Sequence, residues 1–118
     1  MTEPVDVSSL LQLRALQRPG QPDMVGRIVV RFLEETDERI TTMQAAVAAG
    51  DPHSLERAAH ALKGIAGTVG AHELRELALQ LEQLGQTGHT GGAAELVSAL
   101  ERAFARARPT FEALRSGV

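Results

Sequence analysis

The sequence contains no cysteine, no tryptophan and no tyrosine, and its 118 residues include only three phenylalanines, Phe32, Phe104 and Phe111. Without thiols there is no disulfide, no cysteine nucleophile and no thiolate metal site. So few rings leave no stacking platform for bases. Basic residues are scattered, and 12 Lys and Arg against 15 Asp and Glu give a formal charge of −3, so no electrostatic footprint for nucleic acid is visible. No apolar run approaches the roughly 18–20 residues that a membrane-spanning helix needs. The start Met1-Thr2-Glu3-Pro4 has neither the basic residues nor the apolar stretch of a signal peptide, and the chain reads as cytoplasmic.

What is present is helical periodicity in a chain of single-domain length, 1–118, with a core expected over about 23–115 and a lid helix and linker over 1–22. Val7, Leu10, Leu11, Leu13 and Leu16 predict a short first helix, which Pro19-Gly20-Gln21-Pro22 stops. Asp23 can cap a long second helix carrying Val25, Ile28, Val29, Phe32, Leu33, Ile40, Met43 and Val47, ended by Gly50. Asp51-Pro52 supplies a cap and a first-turn proline for a third helix reaching about Val69. Gly70 closes it, and Leu74, Leu77, Leu81 and Leu84 mark a fourth helix that Gly85 is expected to end. Residues 85–92 hold four glycines and read as a mobile loop. A last helix carries Leu96, Val97, Leu100, Phe104, Phe111 and Leu114, with Pro109 expected to kink or interrupt it near Ala105. No strand-period alternation competes. The fold class is therefore all-α, an antiparallel up-and-down four-helix bundle with a short additional N-terminal helix. Once that bundle closes, no large apolar stripe is left over, which predicts a monomer.

The third helix is the informative one. At about 100° per residue, Leu55, Ala58, Ala59, Leu62, Ile65, Ala66 and Val69 fall within an arc of about 120° that faces the core. His60 lies almost opposite the centre of that arc. Its surface neighbours at i+3, i+4 and i+7 are Lys63, the only lysine in the chain, Gly64 and Gly67. Each glycine in a helix interior costs about 1 kcal/mol relative to alanine, so a compensating use is implied. Bare backbone beside an imidazole lets another molecule approach the ring closely. A neutral imidazole nitrogen is nucleophilic near neutral pH, and with a cation one turn away it suits capture of a phosphoryl group. His53, His72 and His89 lack such surroundings and read as solvated side chains. Glycines can also serve close helix packing, but Gly64 and Gly67 lie off the core stripe, so even that reading requires a partner. A metal site from His53 and His60 fails on reach, since seven residues span about 10 Å of helix. Gly64, Gly67 and Gly70 lack the GxxxxGK[ST] order and follow no strand, so no ATP site is assigned.

Ala59-His60-Ala61-Leu62-Lys63-Gly64, followed by Gly67, Gly70 and Ala71, resembles the AHxLKGxxGxxGA pattern of the histidine-containing phosphotransfer (HPt) domains of bacterial multistep phosphorelays. Leu81-Glu82 is similar to the family's later LE pair, and the likeness spans nearly the whole chain. Ile65 departs from the family's usual small residue and Thr68 from a frequent Asn, but neither touches the His60 strip. The resemblance implies a four-helix bundle in which His60 is phosphorylated on Nε2, receiving the group from a receiver domain's aspartyl phosphate and passing it to another receiver. It implies Lys63 as the residue offsetting phosphate charge and Gly64 as the clearance glycine, with Gly67, Ala61 and Ala71 near the docking surface. Partners would be receiver domains of response regulators or of a hybrid histidine kinase. No cofactor is intrinsic to the domain, Mg²⁺ being expected from the receiver.

A hairpin folded at Gly70 places positions near 80–83 beside His60. For Glu82 there the resemblance implies a hydrogen bond accepted from the imidazole Nδ1–H, as made by the Glu of the LE pair in some members of the family, which would fix the tautomer with Nε2 free; the other reading is an ordinary exposed glutamate at the helix flank, and Gln80 and Gln83 are weaker candidates for the same role. Two other functions stay open on the sequence. One is a helical adaptor that binds receiver or kinase domains without being phosphorylated. The other is the phosphoryl-accepting domain of a chemotaxis-type histidine kinase.

Overall fold

The computed structural model describes residues 4–115. The three residues at each end, which the sequence places in the single domain and whose start was read for a signal peptide, lie outside the described residues. Five helices follow one another: α1 (Ser8–Leu16), α2 (Met24–Ala49), α3 (Pro52–Val69), α4 (His72–Gln86) and α5 (Ala93–Arg115). No strand occurs among the described residues. Helices α2 to α5 pack in a ring, α2 on α3, α3 on α4, α4 on α5 and α5 on α2, which is the predicted four-helix bundle. Helix α1 lies on α2 as a lid, with Leu10 its one buried residue. The Arg14 guanidinium ties this lid to the last turn of α5 by donating to the Leu114 carbonyl at 2.6 Å.

Local chemistry sets the helix ends. Asp23 accepts from the Gly26 N–H and Asp51 from the Ser54 N–H, each satisfying an orphan donor of a first turn. Gly50 and Gly70 close α2 and α3 in the left-handed conformation, at φ 63° and 79°. Gly70 has a second constraint, because a Cβ there would overlap the Asp6 carbonyl. The chain before α1 crosses the α3–α4 turn at this point. Its Asp6 N–H donates to Gly70 O at 2.8 Å, and its Pro4 carbonyl accepts from the Glu73 N–H at 3.0 Å. Ala71, the residue before α4, has no side chain that can cap, and Pro4 serves instead.

Two expectations about helix ends are corrected. Helix α4 does not stop at Gly85 but continues to Gln86, with Gly85 buried inside it. Glycine is required there for contact, since a Cβ would come within 2.8 Å of Pro52 O and 2.9 Å of Glu56 N. Helix α5 is not interrupted near Ala105 but runs unbroken through Pro109. Ala105 and Pro109 both face solvent, so water can bond the carbonyl that loses its donor. The buried residues Phe104, Ala107, Phe111 and Leu114 hold the helix in place on either side. All three phenylalanines meet in one cluster, with Phe32 edge-on to Phe104 (centroids 6.0 Å apart) and tilted against Phe111 (4.6 Å). Thr36 is the buried polar neighbour one turn on, and its hydroxyl is satisfied by donating to Phe32 O at 2.7 Å.

Candidate functional site

The outer face of α3 carries the site. The core stripe of Leu55, Ala58, Ala59, Leu62, Ala66 and Val69 is buried, which turns His60 outward with 69% of its side chain exposed. Gly64 lies one turn on, and a Cβ placed there would meet nothing within 4 Å. On the α2 side this open backbone borders a groove of about 310 Å³ whose walls include Ile28, Ile65 and Arg31. Ile65 is half-buried at the edge of the core, as its place on the helix predicts, and Thr68 donates back to Gly64 O. Gly67 is less open than the sequence suggests. Arg75 of α4 crosses it, its Cδ within 3.3 Å of where a Cβ would stand. The hairpin register about Gly70 was the available signal for Arg75, as it was for Glu82. Ala61 is half-buried beside His60. Ala71 is fully buried at the start of α4 and offers no side-chain surface, which corrects its reading as a docking residue.

Helix α4 contributes the buried half of the site. Glu82 resolves the choice left by the sequence, since it is buried rather than exposed and one oxygen, Oε2, lies 2.5 Å from His60 Nδ1. The other, Oε1, accepts from the Lys63 ammonium at 2.6 Å. Gln80 and Gln83 are exposed and Glu82 alone bonds the ring. The Lys63 hydrogen bond holds the Glu82 carboxyl below the usual carboxylate range, and the His60 contact adds to this against burial, which pushes upward. An ionised carboxylate only accepts, so Nδ1 carries the hydrogen and the lone pair of the neutral ring is on Nε2. The solvent-facing side of the site thus presents a nucleophilic nitrogen beside bare backbone. Among the described residues, no group of three or more His, Asp or Glu side chains is arranged to hold a metal ion, and no helix is long and apolar enough to cross a membrane.

A family model for the Hpt domain matches residues 27–110. The chain belongs to the Hpt domain family. It is a histidine phosphotransfer domain, an intermediate of the phosphorelays of two-component signalling. The structure of histidine-containing phosphotransfer protein B from Pseudomonas aeruginosa PAO1 matches with a TM-score of 0.87 and 27% identity, covering 100% of this chain and 99% of that one. That of the maize histidine-containing phosphotransfer protein ZmHP2 matches with a TM-score of 0.81 and 26% identity over 93% of this chain and 86% of that one. No curated protein matches the sequence significantly. The Hpt assignment covers α3 and α4 entirely, so His60, Lys63, Gly64 and Glu82 all fall within the matched residues.

The sign of the Glu82 shift gives a stability prediction. A carboxyl whose folded-state value is depressed stabilises the fold fully above the unfolded value and loses that contribution as pH falls through the folded one. The stability difference between the native Hpt domain and Glu82→Gln is therefore expected to be largest near neutral pH and to shrink below the usual carboxylate range. Denaturant unfolding at a series of pH values measures it.

Proposed function

We propose that this Hpt domain accepts a phosphoryl group on His60 Nε2 from the aspartyl phosphate of one receiver domain and passes it to the aspartate of another. The observation that supports this most directly is the Nδ1 contact with buried Glu82, which leaves Nε2 as the free nucleophile on an exposed face. In the transfer, the Nε2–P bond forms as the aspartyl O–P bond breaks, and the receiver's carboxylate departs. The ring keeps its Nδ1 proton, and the positive charge it acquires faces Glu82. In-line phosphoryl transfer depends on positioning and on charge neutralisation more than on further acid or base groups. Mg²⁺ held by the receiver's own acidic pocket would neutralise the phosphoryl oxygens. A nucleophile on a rigid helix is then what this domain has to supply.

Docking is assigned to the open strip of Gly64 and half-buried Ala61, with the α2–α3 groove beside them and Gly67 at its Arg75-covered end. Gly64→Ala is expected to raise folding stability by about 0.5–1 kcal/mol, since the site is helical and the space is empty. The same variant is expected to slow transfer, because its methyl stands where the receiver's backbone approaches. Unfolding curves and transfer rates measured together would show stability and activity moving in opposite directions.

The function is tested by presenting the chain with receiver domains pre-loaded with labelled phosphate. Label that moves to the chain, is lost in acid and survives alkali identifies a phosphohistidine. A chain that binds receivers but takes no label is an adaptor.

A further inference from the structure

Lys63 is not the only cation one turn from His60. Three residues of helix turn through about 300°, so Lys63 at i+3 and Arg57 at i−3 flank the histidine about 60° to either side. Their surroundings are opposite. Lys63 is on the α4 side, with 26% of its side chain accessible and its ammonium bound to buried Glu82. Arg57 is on the outer side, exposed and within about 20° of open Gly64 around the helix, and its guanidinium has no ion-pair or hydrogen-bond partner among the described residues. Direction along the helix also favours Arg57. A helical side chain leans toward the N-terminus and covers the turn before its own Cα, which for His60 is the turn of Glu56 and Arg57. Glu56 packs its Cβ against Gly85 of α4, so the solvent side of that turn is left to Arg57. Glu82 holds Nδ1 toward α4, and Nε2 is the outward nitrogen. Side chains three apart start only about 5–6 Å from each other, so a guanidinium on residue 57 can reach a group carried on that nitrogen.

We propose that Arg57 pairs with the phosphoryl oxygens once the group is on His60, and so holds the phosphorylated domain between receipt and delivery. The inference rests on His60 Nε2 being the acceptor. It answers a need that transfer itself does not create. In the complex the receiver's Mg²⁺ neutralises the oxygens, but that ion leaves with the receiver, and a group with about two negative charges stays behind on an exposed ring. A guanidinium is always charged and presents a planar fork of N–H donors that matches phosphate oxygens. The neighbouring arginines are placed otherwise. Arg31 is bound to Glu35 at 2.8 Å, and Arg75 lies over Gly67 and pairs with Glu76 at 3.6 Å. Arg39 of α2 is half-buried with its Nε enclosed. Helix α5 packs on α2 and α4 rather than on α3.

The test compares the native full chain with Arg57→Gln and Arg57→Lys in two measurements. The first is the equilibrium of labelled phosphate between a receiver domain and the chain, approached from both sides. Arg57→Gln is expected to move it about 2- to 5-fold toward the receiver, the size of an exposed, charge-assisted pair. Arg57→Lys is expected to keep most of the native value, and the difference is expected to shrink near 1 M salt, where screening reaches about 3 Å. The second is phosphorus-31 NMR of the phosphorylated chain with no receiver present. The pH at which the phosphoryl oxygens take up a proton is expected to rise in Arg57→Gln and to return toward native in Arg57→Lys. Because Arg57 is exposed and unpaired, the unphosphorylated variants are expected to unfold at the native denaturant concentration, which separates the effect from misfolding. A phosphoryl titration unmoved by Arg57→Gln would overturn the proposal, and with weakened receiver binding it would place Arg57 in the docking contact instead. An equilibrium unmoved at low salt would overturn it as well. Failure of the acceptor assignment shows differently, as label still reaching a chain that lacks His60.

Discussion

Replacing His60 with glutamine is expected to abolish phosphoryl transfer while leaving the bundle folded. Glutamine has no basic nitrogen, so no N–P bond can form, and no other histidine can stand in. His53 and His89 are exposed outside the strip and His72 opens α4, and none of the three is bonded to a buried carboxylate. The structural effect should be small. His60 is largely exposed, and its amide replacement can still donate to Glu82, so stability should change by no more than about 1 kcal/mol. Circular dichroism and denaturant unfolding establish the fold, and labelled transfer from a loaded receiver establishes the chemistry. Residual label at the native rate would remove His60 from the mechanism. Loss of label together with retained receiver binding would separate the nucleophile from the docking surface, which the open backbone at Gly64 implies is a distinct feature.

That Glu82 lies beside His60 was legible in the sequence for one physical reason: a short hairpin has a fixed register. Gly70 marks the turn, so residues ten before and about ten after it lie side by side, and Glu82 falls opposite His60. What the pattern left open was whether Glu82 would be buried, because a carboxylate at a helix flank is ordinarily solvated. In the folded protein Glu82 is buried with Lys63 as its partner at 2.6 Å, so the carboxylate is not left as an unpaired buried charge. Glycine was read less well. A sequence shows that the side chain is missing but not whether the reason is backbone conformation, close approach or an open surface. Gly70 serves the first two, Gly85 the second and Gly64 the third. Gly85 therefore looked like a helix end when it was a contact point for α3. The strap over the α3–α4 turn was not legible at all. It works through the backbone groups of Pro4 and Asp6, whose side-chain identities carry no trace of it.

The core prediction with the largest effect concerns Phe32, and Phe32→Ala is expected to destabilise the fold by about 3–5 kcal/mol. The ring is fully buried in the α2–α5 seam, where it touches both of the other phenylalanines. Truncation removes its transfer free energy, leaves a cavity and breaks two aromatic contacts, each worth about 0.5–1.5 kcal/mol beyond burial. Collapse of the cavity is opposed from both sides. Phe111 is itself fully buried, and Phe104 is covered on its outer side by the Arg108 guanidinium, 4.5 Å from the ring centre. Because small domains are stable by only about 5–15 kcal/mol, the variant should unfold at a much lower denaturant concentration with a similar slope. The site should respond differently. His60, Lys63 and Glu82 are joined to one another across the α3–α4 hairpin by hydrogen bonds that do not involve Phe32, so the folded fraction of the variant should still transfer phosphate at the native rate per molecule. A rate that fell further than the folded fraction would show that the α2–α5 seam fixes the geometry of the His60 face. The bundle would then act as one mechanical unit rather than as a hairpin carried on a support.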